Sequence, residues 1–229
     1  MDRKNQKELN ALKVRIHWTY FLNKRGTASF HSDWLQAETA LFIVGDLEKT
    51  GRLKEVEFED EMGTVWTKKE LTKLLTEVED EPHTITAFFD GGFRKDEGLS
   101  GVGVAIYFEQ NHKKWRIRKN AVLQQLESNN EAEYAAFYEA LKQLEELGVH
   151  HQSCVFKGDS LVVLNQLSGE WPSYEQPLNR WIDRIEEKLE KLHIRPVYEP
   201  ISRKDNQEAD GLASQALNGE EISSKIQLK

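Results

Sequence analysis

The chain is short of the residues that mark secreted or thiolate-metal proteins. Among its 229 residues there is one cysteine, Cys154. A lone cysteine excludes an internal disulfide and a cysteine-based zinc site, and Cys154, within a strand-like run, reads as a small core residue. Long apolar runs are missing too, and the first residues are charged and polar, unlike a signal peptide. No internal repeat and no low-complexity segment interrupts the chain. His83, His112, His150, His151 and His193 show no metal-ligand spacing. Excess positive charge is also absent: 31 Lys and Arg against 39 Asp and Glu leave a net charge of −8. That balance argues against holding nucleic acid by bulk electrostatics. It leaves room for a local basic patch, or for metal ions that bridge carboxylates to phosphate. The expectation is a cytoplasmic protein in a reducing compartment, without membrane contact and taken as a monomer.

What is present falls into two parts. Residues 1–80 read as a small α+β domain of order ββαββα. Val14, Ile16, Trp18 and Tyr20 alternate with Arg15, His17 and Thr19, as in a strand with one apolar face. Asn23-Lys24-Arg25-Gly26 predicts a hairpin returning through Thr27 to His31. Asp33 with Gln36 three residues on predicts the start of a helix carrying Trp34, Leu35, Ala37, Leu41, Val44 and Leu47. Leu53–Glu59 alternates again, Val65-Trp66 is a short strand, and Thr67 with Glu70 predicts a capped helix to about Glu77. The first 31 residues hold seven basic side chains against two acidic ones, with Trp18, Tyr20, Phe21 and Phe30 interleaved. This is either a nucleic-acid-binding hairpin or a solvated sheet face with core aromatics. The acidic stretch from Glu77 to Pro82 reads as a linker.

Residues 83–219 predict a βββαβαβα-type domain, followed by a polar tail over 220–229. Thr84–Gly92 alternates like a buried strand, closed by Asp90 and Gly91-Gly92. An isolated Asp-Gly is ordinarily a turn cap, yet an unpaired buried charge is costly. Val102–Phe108 and Lys114–Val122 complete an antiparallel meander. Ser128-Asn129-Asn130 caps a helix to Leu147, where Glu133 shares the apolar stripe of Ala136, Phe137, Ala140 and Leu144. Glu131 and Glu139 are biased away from that stripe. Ser153–Lys157 is a strand that turns at Gly158-Asp159-Ser160 into the helix Leu161–Leu167. An amphipathic helix spans Pro177–Leu192, Ile194–Pro200 is the fifth strand, and Asn206 opens a last helix with Asp210 beside its core face.

Two strand-terminal aspartates, one glutamate on a buried helix face and one aspartate beside another can converge at the carboxyl edge of the sheet. Four such carboxylates repel unless cations neutralise them. Hard oxygen ligands without cysteine favour Mg²⁺ or Mn²⁺.

On these residues the chain resembles the type 1 ribonuclease H family over about 84–219. The matching pieces are F-F-D-G-G (Asp90), S-N-N-E-A-E-Y (Glu133), K-G-D-S-L-V-V (Asp159), S-G-E-W-P, and N-Q-E-A-D-G-L-A (Asp210). The resemblance implies a ribonuclease H-like mixed five-stranded sheet with helices on both faces. It implies an endoribonuclease that hydrolyses the RNA strand of RNA–DNA hybrids, with two ions held by Asp90, Glu133, Asp159 and Asp210. The expected products carry 5′-phosphate and 3′-hydroxyl ends. It also implies substrate contacts at Gly91, Gly92, Asn129, Asn130, Ser160 and Arg203. The alternative is a protein of this fold that binds nucleic acid or a protein partner without appreciable cleavage. The loop F-R-K-D-E-G-L-S-G departs from the family's glycine- and proline-rich segment. A related exonuclease pattern would place glutamate where Gly92 stands.

Overall fold

Alternation of Ile85, Ala87 and Phe89 with Thr86, Phe88 and Asp90 builds the central strand of the larger of two units. The computed structural model describes residues 12–229, and the chain divides between Asp80 and Glu81.

The amino-terminal unit contains β1 (Lys13–Leu22), β2 (Gly26–His31), β3 (Leu35–Gln36), α1 (Ala37–Lys49), β4 (Leu53–Asp60), β5 (Val65–Trp66) and α2 (Lys68–Asp80). Its sheet runs β2-β1-β4-β5, all antiparallel, with β3 paired to β1. Val14, Ile16, Ala37, Ala40, Val44, Phe58 and Leu71 form its core. Thr67 and Glu70 make the expected reciprocal cap: the Thr67 N–H donates to Glu70 Oε2 at 2.9 Å and the Glu70 N–H to Thr67 Oγ1 at 3.2 Å. The expected start at Asp33 is corrected. Leu35 and Gln36 are pulled into pairing with β1, so α1 begins only at Ala37, without a side-chain cap. The division of the chain falls within the acidic stretch Glu77–Pro82, as expected, but most of that stretch is helix, because α2 runs on to Asp80.

The basic hairpin bears on the two readings of its charge. Arg3, Lys4 and Lys7 lie outside the described residues. On the outer face of β1, Arg15, His17 and Thr19 stand opposite Glu59, Glu57 and Glu55 of β4. His17 Nε2 and Glu59 Oε2 are 2.8 Å apart, and Arg15 lies over the Trp34 ring at 4.7 Å. Trp18 packs against the core and stacks on Phe30. A column of glutamates therefore lines the cationic face.

The carboxy-terminal unit contains β6 (His83–Arg94), β7 (Leu99–Gln110), β8 (Lys113–Gln124), α3 (Asn129–Glu146), β9 (Ser153–Gly158), α4 (Leu161–Leu167), α5 (Gln176–Leu192), β10 (Arg195–Pro200), a 3₁₀ turn (Arg203–Asn206), α6 (Gln207–Leu217) and β11 (Ser223–Gln227). The sheet order is β10-β9-β6-β7-β8-β11. β6, β7 and β8 form the antiparallel meander, while β9 is parallel to both β6 and β10. The five expected strands are present and a sixth joins them. Residues 220–229 are thus not a free tail: β11 pairs antiparallel with β8, and Lys225 covers the Phe108 and Trp115 rings at 5.1 Å. Buried Asn120 anchors this addition. Its Nδ2 donates to Leu212 O and Glu220 O, and its Oδ1 accepts the Ile222 N–H.

Successive residues of a strand face opposite sides of the sheet, and Gly91 and Gly92 show what covers each. A Cβ on Gly91 would fall 2.2 Å from the Ala132 carbonyl carbon of α3. On Gly92 it would meet Leu217 of α6 at 3.2 Å. The α6 face is seated on small residues, because Cβ positions at Gly103 and Gly101 lie 2.2 Å from the carbonyl oxygens of Ala209 and Ala213. On the α3 face, Phe137 packs between Phe89 (5.1 Å between centroids) and Phe156 (4.5 Å), and Cys154 is fully buried in the same core. α3 is buried more widely than its stripe predicts. Glu131 and Glu139 are both buried, which is tolerable because Glu131 accepts the Glu127 N–H and Glu139 is bonded by Gln143 and Lys142. Among the described residues no helix is long and apolar enough to cross a membrane.

Candidate metal centre

Sheet register creates the site. β6 pairs with β9 only from Thr86 to Phe88. Beyond Phe88 the central strand has lost that neighbour, while its pairing with β7 continues through Asp90–Gly103 to Arg94–Leu99. Asp90 therefore does not close its strand, as the following glycines imply. It lies within β6, at the notch left where β9 stops. Asp159 follows the last residue of β9, and Glu133 enters from the first turn and a half of α3. Gly91 admits α3 to this contact: no other residue type fits against Ala132 there.

Three of the four expected carboxylates meet. Asp90, Glu133 and Asp159 each place an oxygen within 4.8 Å of the other two. Asp90 and Glu133 are 8% and 7% exposed, and Glu133 Oε2 is buried with no hydrogen-bond partner. Burial, then the charges of Asp159 and Asp210, push the Asp90 carboxyl up to about 7, against the pull of Arg203. Burial, then Asp90 and Asp159, push Glu133 up to about 9, opposed by a hydrogen bond from the Gly91 N–H and by Arg203. These values express a site with too much negative charge for the donors it holds. A divalent cation would supply the missing countercharge, and an all-carboxylate set with one orphaned oxygen suits a hard ion. The cluster is compatible with divalent metal binding.

Asp210 stands outside this group of three. Its Oδ1 accepts from Arg203 Nη2 at 2.9 Å, and this hydrogen bond raises the Arg203 pKa further. Its charge nevertheless reaches Asp90. The Arg203 side chain is 80% exposed, so the ion pair is a surface pair of small strength.

Asn129 is exposed and Asn130 half-buried at the start of α3, after the cap in which Ser128 accepts the Glu131 N–H. Ser160 caps α4 by accepting the Val163 N–H at 3.5 Å. The Cβ sides of Gly91 and Gly92 are taken up by α3 and α6. Two features escape the sequence reading. The alternation Gly101-Val-Gly103, matched by Ala209 and Ala213 four apart, was a legible signal of a helix lying flat on the sheet. Asn206 opens the last helix as expected, and the unforeseen part is that its side chain bonds Asp159 and the Phe89 carbonyl.

A family model described as reverse transcriptase-like matches residues 88–216. YpeP of Bacillus subtilis (strain 168), an uncharacterised protein, is 48% identical over 218 residues, covering 95% of this chain and 96% of YpeP. Ribonuclease HI of Halobacterium salinarum is 28% identical over 134 residues, 58% of this chain and 64% of that protein. Among solved structures, RNase H1 from Halobacterium salinarum NRC-1 is similar with a TM-score of 0.51 and 27% identity, over 59% of this chain and 98% of that one. LC11-RNase H1 in complex with an RNA/DNA hybrid is similar with a TM-score of 0.50 and 25% identity, over 59% and 98%. The fold, the order of its motifs and a match across more than half of its length agree, and the chain belongs to the reverse transcriptase-like family of type 1 ribonuclease H-like proteins.

Proposed function

We propose that the protein is a metal-dependent endoribonuclease that cuts the RNA strand of RNA–DNA hybrids, leaving 5′-phosphate and 3′-hydroxyl ends. The observation that carries this reading is the buried meeting of Asp90, Glu133 and Asp159 around an unpartnered Glu133 oxygen. Asp90, Glu133 and Asp159 would hold Mg²⁺ or Mn²⁺, with Asp210 joining them once released from Arg203, in a site for two ions. Bound ions supply an activated water and neutralise charge on the leaving oxygen. Burial keeps the carboxylates short of competing water, and the Gly91 N–H orients Glu133. Arg203, mostly exposed, offers its guanidinium to a phosphate. Asn129, exposed, and Asn130, half-buried, at the start of α3 would meet the minor groove, where 2′-hydroxyls identify RNA. Gly91, Gly92 and Ser160 complete the proposed contact set. The amino-terminal unit presents Phe21 and Phe30, 41% and 49% exposed, as rings against which a hybrid can lie.

A second reading, hybrid or partner binding without cleavage, is favoured by one observation: Asp210 is paired with Arg203 and lies outside the group of three carboxylates. Incubating the full chain with a labelled hybrid and Mg²⁺ or Mn²⁺, beside Asp90→Asn, decides between them. Metal-dependent cleavage lost in the variant supports the nuclease. Binding without cleavage in both proteins supports the second reading.

A further inference from the structure

Asn206 ends the 3₁₀ turn before α6 and is 1% exposed. It occupies a helix-cap position but makes no capping hydrogen bond with its side chain. Its Nδ2 instead donates to the Phe89 carbonyl and to Asp159 Oδ1, each at 3.0 Å. Its Oδ1 is buried without a partner. Both acceptors lack a proton when Asp159 is ionised, so a flipped amide would set oxygen against oxygen; chemistry fixes its orientation. Burying an unsatisfied amide oxygen is costly, and helix capping does not offset that cost here.

We infer that Asn206 is a positioning residue for the metal centre. One amide pins the carboxylate after β9 to the main chain immediately before Asp90. The two strands part just below this point, so no backbone pairing fixes their spacing there. Asn206 bridges the gap, sets the separation of Asp90 and Asp159, and leaves the second Asp159 oxygen for a cation. A partner behind a metal ligand typically governs metal affinity by 10–100-fold. The inference rests on the metal-dependent reading above and deepens it.

The test titrates Mn²⁺ into the full chain by calorimetry without substrate, for wild type, Asn206→Ala and Asn206→Ser, with metal-free melting of each. Asn206→Ala is expected to bind Mn²⁺ at least about tenfold more weakly, and Asn206→Ser, which keeps one hydroxyl donor, to recover part of that loss. In cleavage assays the Mn²⁺ needed for half-maximal rate rises in step, while KM for hybrid stays unchanged. Should the alanine variant not fold, the serine variant carries the same comparison. Wild-type Mn²⁺ affinity in a folded variant, with only a lower melting temperature, reduces Asn206 to a structural residue and overturns the inference alone. A wild-type chain that binds no Mn²⁺ overturns the metal reading and this inference together.

Discussion

Asp60 and Asp90 look alike in sequence, each an aspartate at the end of an alternating run with a glycine close behind, and they have opposite fates. Asp60 ends β4 and is 7% exposed, and its carboxylate accepts from Met62 N, Thr64 N and Trp66 Nε1 at 2.8–2.9 Å. Burial pushes its pKa up, but the Trp66, Thr64 and Met62 donors outweigh it and the group lies below its ordinary value. Asp90 is as little exposed but lies deeper, among other carboxylates, and burial first, then their charges, pushes its pKa the other way. Low surface exposure alone therefore does not distinguish the two. The supply of donors does, and a shortfall of donors is what a cation can fill.

The contrast breaks most sharply in activity. Asp90→Asn is expected to lower metal-dependent hybrid cleavage by more than about 100-fold, exceeding the loss of a mere supporting partner. Glu57→Gln, on the glutamate column of the other unit, should leave the rate within twofold, roughly as surface changes do. Next in size is Gly91→Ala, which drives a methyl group into α3 backbone. Calorimetric unfolding should show a loss of more than about 3 kcal/mol, and retention of stability would mean that α3 is not seated on β6 as described. Asp60→Ala strips three donors of their acceptor and should cost the amino-terminal unit about 2 kcal/mol by denaturant titration.

Opposite pH dependences sharpen the comparison further. Asp90 and Glu133 have folded-state pKa values, about 7 and about 9, above those of the unfolded chain. Their contribution is fully present at low pH and is lost as pH rises through those values. Asp60, with a lowered pKa, contributes above the ordinary carboxylate pKa and fails only as pH falls through its folded value. In chelator, the carboxy-terminal unit should lose melting temperature between pH 5 and 9. Mn²⁺ should restore it most at the alkaline end, and Asp90→Asn should melt higher than wild type at pH 8. A flat profile for wild type in chelator would contradict the crowding of charge at the site. The smallest effect is expected of Gly92→Ala, whose methyl meets only the tip of Leu217. A loss below about 1 kcal/mol in melts, combined with a drop in cleavage, would mark Gly92 as a substrate contact.

Much of this was legible in residue patterns, for identifiable reasons. Period-two alternation places β6, and the Ser128 and Thr67 caps locate α3 and α2, because those signals are local. The notch beside Asp90 was not legible: Gly91-Gly92 looks like a turn, and only the register of β6 against β9 shows the strand continuing. Arg203 and Asp210 are seven residues apart, but their pairing depends on the 3₁₀ turn that brings them together. S-S-K-I-Q at 223–227 is too short and polar to declare a strand, and it becomes one because the edge of β8 and Asn120 are waiting for it.

The strand order has a consequence for synthesis. The strands of the amino-terminal sheet all lie between Lys13 and Trp66, so it can close while later residues are still being translated. The larger sheet cannot. Asn206, Asp210 and β11 all arrive last, with β11 joining a strand made about a hundred residues earlier. A nascent chain thus carries Asp90, Glu133 and Asp159 before the residues that finish their surroundings emerge, so any tight grip on a cation waits until Asn206 has been made and has reached Asp159.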